Sequence, residues 1–178
     1  MKKIRNRNKE TEQKEVLGNE KKIILFAVIG VLAFILAVLM IIENQSGYIR
    51  VTNRTDIAVE ELKAYFVYAE GRLEEEVYEY YDIQPGKQQT RELRAIDLLG
   101  LEANLEIRFI FEGYEHKYVV DAGLFNDYFD GKVAITFDQT EDGLISMKIK
   151  ASSGFLSSQL ITCDEEHIID YQTGDISD

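Results

Sequence analysis

Asp138-Gln139-Thr140-Glu141-Asp142-Gly143 opens in the manner of a calcium-binding loop. Such a loop sets oxygen donors at its first, third and fifth positions, glycine at the sixth and a bidentate glutamate at the twelfth. Here Thr140 stands third and Ile149 twelfth, and Ile149 belongs to an alternating apolar run, so the segment reads as a hairpin turn. A calcium ion shared among acidic loops, with Asp127 and Asp130 among the donors, is the weaker alternative, and no metal site is assigned. Cys163, Asp164, Glu165, Glu166, His167 and Asp170 gather sulfur, oxygen and nitrogen donors. In a strand, however, neighbours face opposite sides and cannot converge on one ion, so a polar loop is expected.

His116 and His167 are the only histidines. Nucleophilic catalysis of the Ser-His-Asp or Cys-His kind needs one of them beside an orienting carboxylate. No spacing signals that arrangement, so no catalytic residue and no cofactor is assigned and a non-enzyme is expected. All ten tyrosines follow residue 47, and Tyr78 and Tyr80 share one face of an expected strand. Exposed rings could stack on sugars, but the chain has no tryptophan. Tyrosine is a favoured strand residue, so packing is the expected role. Tyr48 reads as an interfacial anchor, and Glu74-Glu75-Glu76 as a solvated face. Leu160-Ile161-Thr162-Cys163 lies too far from any signal segment to be a lipid-attachment site.

The elements that must position these residues begin with Ile23–Ile42, twenty residues without a charged, amide or hydroxyl side chain. As a helix the stretch spans about 30 Å, the thickness of a bilayer's hydrocarbon core. Fifteen of the twenty are Ile, Leu, Val or Phe, which together favour insertion by several kcal/mol. A cleavable signal peptide is the rival, but the run is long and is followed by Glu43-Asn44-Gln45-Ser46-Gly47 rather than small residues of the A-x-A kind. Eight Lys/Arg precede the span and only Arg50 and Arg54 follow closely, which predicts a cytoplasmic N-terminus and an outer C-terminal domain. Ala27, Gly30, Ala33 and Ala37 make a small-residue stripe suited to a neighbouring helix.

Beyond the span, period-two alternation dominates. Leu101, Ala103, Leu105, Ile107, Phe109 and Phe111 alternate with polar residues, as do Val133, Ile135 and Phe137, then Ile145, Met147 and Ile149. Further strands are expected at Tyr48–Asn53, at Ile57–Tyr68 with a bulge at Glu60-Glu61, and at Leu73–Ile83, Gln88–Leu93 and His116–Val120. Gln84-Pro85-Gly86 fits a type II turn. Short helical turns are expected at Ile96–Leu99 and Leu124–Phe129, and late strands at Ser158–Thr162 and His167–Tyr171.

Residues 43–178 carry 12 Lys/Arg against 28 Asp/Glu, net −16. A field of that sign disfavours nucleic acid, whose affinity comes largely from cationic contacts to phosphate. The single Cys163 excludes an internal disulfide framework.

The expected architecture is mainly β: one N-terminal transmembrane helix, then one antiparallel β-sandwich of Ig-like or C2-like form. Residues 1–22 are read as a disordered basic cytoplasmic tail, 23–42 as the span, 43–172 as the sandwich and 173–178 as a frayed terminus. The expected function is a membrane-anchored, extracytoplasmic, non-enzymatic interaction module of a bacterial envelope complex in the plasma membrane. Its partners would be the bilayer through Ile23–Ile42 and either a second envelope protein or a second copy. An envelope-polymer hydrolase, or a signalling component acting through the basic tail, is the alternative.

Overall fold

The computed structural model describes residues 22, 24–39, 47–73, 77–153 and 158–177. The chain divides into two units, Met1–Gln45 and Ser46–Asp178. In the first, residues 24–39 form a helix. Among the described residues no helix is long and apolar enough to cross a membrane. Sixteen residues rise only about 24 Å. Ile23 and residues 40–42 of the expected span, like the expected tail over 1–21, lie outside the described residues.

The second unit is mainly β. Its described strands are β1 (Gly47–Arg54), β2 (Val59–Tyr68), β3 (Gly71–Arg72), β4 (Tyr78–Ile83), β5 (Gln88–Leu93), β6 (Ile96–Asp97) and β7 (Ala103–Phe111). They continue as β8 (Tyr118–Phe125), β9 (Tyr128–Phe129), β10 (Lys132–Gln139), β11 (Ile145–Ser152), β12 (Ile161–Thr162), β13 (Asp164–Asp170) and β14 (Asp175–Ser177). One sheet runs β14-β13-β11-β10-β1-β5. The other runs β12-β8-β7-β2-β3, with β4 also on β2, and β6 pairs β9 separately.

Alternation sends one side of each strand inward. Leu105, Ile107, Phe109 and Phe111 of β7 share a single core with Val133, Ile135 and Phe137 of β10 and with Ile145, Met147 and Ile149 of β11. Phe137 of the first sheet meets Phe109 and Phe111 of the second edge-on, at 5.2 and 5.7 Å between centroids. Such pairs add about 0.5–1.5 kcal/mol each beyond their area. Tyr78 and Tyr80 are both buried, and the Tyr80 hydroxyl donates to the Ile49 carbonyl at 2.8 Å, tying β4 to β1. On the same flank, Gln89 and Arg91 of β5 donate to the Tyr81 and Glu79 carbonyls of β4.

Local turn chemistry follows the residues. Gly86 takes φ 71° and the Lys87 amide donates to the Gln84 carbonyl at 3.0 Å, a type II turn around Pro85. Gly143 at φ 82° closes the β10–β11 hairpin. The β2–β7 register slips between Val59 and Glu61, at the expected bulge.

Four expectations need correction. The first sheet is mixed, because β1 pairs parallel with β10; alternation looks the same in either direction, so it could not distinguish the two. The segments expected as helical turns contain strands instead: β6 begins at Ile96, β8 runs on through Phe125, and Tyr128–Phe129 forms β9 against β6. Burial of Leu98, Phe125 and Phe129 in the core outweighs their local pattern. The strand expected over Leu73–Ile83 begins at Tyr78, with residues 74–76 outside the described ones. The terminus expected to fray from residue 173 supplies β14, paired with β13 through Ile169 and Ile176.

Candidate functional site

The outward side chains of β2, β4, β7 and β8 cover the outer face of the second sheet. Register sets them in rows: Lys63 faces Glu79 on one side and Arg108 on the other, and Arg108 faces Val119. The adjoining row is Tyr65, Glu106 and Asp121. Alternation forces this, since the partners of Leu62, Ile107 and Val120 point into the core.

Beside these rows lies an open cleft of about 250 Å³ lined by Glu61, Lys63, Arg108, Ile110, Lys117 and Val119, with Phe109 and Tyr118 also on its wall. Three of the twelve cations after residue 43 therefore gather on one patch of a net-negative unit. Lys63 is held by Glu61 at 2.7 Å and Glu79 at 3.5 Å, and Arg108 by Glu106 at 2.6 Å. Lys117 forms no ion pair among the described residues.

The neighbouring row is a connected network. The Tyr65 hydroxyl donates to Glu106, and the Arg72 guanidinium lies over the Tyr65 ring, 4.7 Å from its centroid. Burial and then the Glu106 carboxylate raise the Tyr65 phenol's pKa. Desolvation pushes the Glu106 carboxyl upward, but the Tyr65 and Arg108 hydrogen bonds overcome it and hold the group below its usual value. Asp121 moves the other way, raised by desolvation and by the facing Glu106. This face combines apolar side chains, an aromatic ring and charges of both signs.

The residues singled out from the sequence lie elsewhere. Asp138 belongs to an ion ladder on the first sheet, with Arg54 at 3.5 Å and Lys148 at 3.8 Å, and Ile149 is buried. Asp127 accepts from the Ser158 hydroxyl at 2.6 Å, which lowers its pKa. Cys163 through Asp170 form strand rather than loop from Asp164 on. Alternation sends Asp164 to Lys150 at 3.0 Å and Glu166 to Lys148 at 3.6 Å on the outer face.

Glu165 accepts from the Gly123 amide at 2.8 Å and lies 3.5 Å from His167. Burial pushes the Cys163 thiol up to about 12, which leaves it protonated and unreactive at neutral pH. Asp170 caps the Gln172 and Thr173 amides of a turn. His116 packs on Gly174, where an added Cβ would come within 2.7 Å of its Nδ1. Among the described residues no group of three or more His, Cys, Asp or Glu could hold a metal ion.

Lys63, Arg108 and Lys117 escaped the sequence reading because they lie far apart along the chain. The signal that would have found them is parity: Lys63 and Arg108 each sit in the polar phase of an alternating run, on strands that pair. Comparison with models of protein families, with curated proteins and with solved structures finds no match to this chain.

Proposed function

We propose that this chain is a membrane-anchored, extracytoplasmic, non-enzymatic interaction module, an accessory component of a bacterial envelope protein complex. The anchor is Ile23–Ile42, with the basic N-terminus inside and the β-unit, an Ig-like or C2-like sandwich, outside. The carrying observation is the helix over 24–39, whose large apolar side chains are exposed, Phe26 at 71% and Phe34 at 70%. Water is a poor solvent for such a helix, and a bilayer or neighbouring helices satisfy it. The outer face of the second sheet is the contact surface offered to another protein. Its cations sit in an acidic surround, so a partner that brings carboxylates to Lys63, Arg108 and Lys117 fits best.

The test is fractionation of cells expressing the full chain. The chain should remain in the membrane pellet through an alkaline carbonate wash, and external protease should digest the β-unit in wall-stripped cells. Release into the wash would remove the anchor, and protection of the β-unit would reverse the orientation.

A further inference from the structure

Strand β8 is hydrogen-bonded on one side to β7, from Phe109↔Tyr118 to Ala103↔Phe125. On its other side β12 pairs only Leu124 and Phe125, and the Gly123 amide is taken by Glu165. Among the described residues no strand is hydrogen-bonded along the Tyr118–Ala122 edge, and β13 of the other sheet passes close to β8. An open edge is a template for another strand. Its outward side chains are Val119 and Asp121, and Lys117 immediately precedes the strand. Val119 is 48% exposed, and neither Lys117 nor Asp121 has an ion pair among the described residues. Asp121 also directly faces Glu106, a like-charge pair that costs stability across a sheet.

These three residues are complementary to themselves. An antiparallel copy of β8 centred on Val119 sets Val119 against Val119, Lys117 against Asp121 and Asp121 against Lys117. We propose that the β8 edge pairs in this register with β8 of a second copy, joining two sheets into one. The Lys117 ammonium of each copy then lies beside the Glu106–Asp121 carboxylates of the other, and the Val119 side chains cover one another. The interface is isologous, as a two-fold dimer requires. This deepens the reading of the chain as an interaction module by naming its partner as a second copy. It can fail alone, since a chain that is monomeric at this edge but fractionates with membranes leaves the anchor standing.

The experiment is cysteine crosslinking of the full chain in mild detergent, in a Cys163→Ala background. Facing residues of an antiparallel pair have Cα atoms about 4.5–5.5 Å apart, within disulfide reach. Val119→Cys should give a disulfide-linked dimer on mild oxidation, while the comparably exposed Tyr81→Cys and Tyr128→Cys should not. Lys117→Glu and Asp121→Lys should each weaken association about tenfold, roughly 1.4 kcal/mol. The double variant should restore it. If Val119→Cys crosslinks no faster than Tyr81→Cys, or the double variant stays as weak as the single ones, the charges merely guard a solitary edge and the inference is overturned.

Discussion

Asn53 is fully buried, and its four side-chain hydrogen bonds hold the strand ends together. Its amide nitrogen donates to the Ile57 and Ile83 carbonyls, both at 2.8 Å. Its oxygen accepts from the Thr55 amide and hydroxyl, at 3.0 and 2.8 Å. Removing one partner from such a network strands the rest without water, at about 1–3 kcal/mol per buried group. Asn53→Ala should therefore cost about 3 kcal/mol, read as a lower urea midpoint at unchanged slope. Nothing in the sequence marked Asn53, because its side chain ties the nearby Thr55 and Ile57 to the Ile83 carbonyl, 30 positions along the chain.

Cys163 gives a second expectation at this scale. With a folded value of about 12 against roughly 8.5 unfolded, native thiolate at pH 8 is about a thousandfold scarcer than in the unfolded chain. A thiol reagent should label it only in denaturant. The folded state also holds this proton more tightly, so its contribution is complete below the unfolded value. It is lost as pH rises from roughly 8.5 towards 12. Fast native labelling at pH 8 would show the thiol to be accessible.

Among the elements, two glycines separate backbone strain from lack of room. Gly143 and Gly123 both have positive φ, 82° and 68°. A Cβ at Gly143 meets nothing within 4 Å, whereas one at Gly123 would lie 2.5 Å from the Cys163 Cβ. Gly143→Ala should cost about 1 kcal/mol, the left-handed strain alone. Gly123→Ala should cost about 3 kcal/mol or more, because β8 must also move off Thr162 and Cys163. Equal losses in thermal unfolding would show that strain alone matters.

The asymmetry tracks what could be read in advance. The Asp142-Gly143 turn, the Pro85-Gly86 turn and the Glu60-Glu61 slip were legible because neighbouring residues cause them. The strand faces were legible too, since alternation is local. The role of Gly123 was not, because its constraint comes from a residue forty positions later. The parallel β1–β10 pairing and the gathering of Lys63, Arg108 and Lys117 were hidden for the same reason.

For the whole molecule, charge decides a competition. The outer-face ion ladders are exposed pairs worth about 0–1 kcal/mol each, which salt weakens. A net −16 over residues 43–178 repels itself, and salt screens that too. The longer-range repulsion sums over more pairs, so added sodium chloride should raise the melting temperature of the β-unit. A fall would mean that the ladders around Asp138 and Lys148 outweigh the field.

The parallel partnership of β1 sets an order of events. β1 is made first, yet it lies inside its sheet between β5 and β10, and its β10 partners follow about eighty residues later. Hairpins such as β10–β11 close over a few residues in microseconds, but a long-range pairing must wait for the intervening chain. As synthesis proceeds, β1 remains a half-matched strand until Val133, Ile135 and Phe137 arrive. Truncation anywhere before β10 thus leaves the earliest-made strand without one of its two neighbours, so a stalled nascent chain is the form most exposed to wrong pairing and degradation.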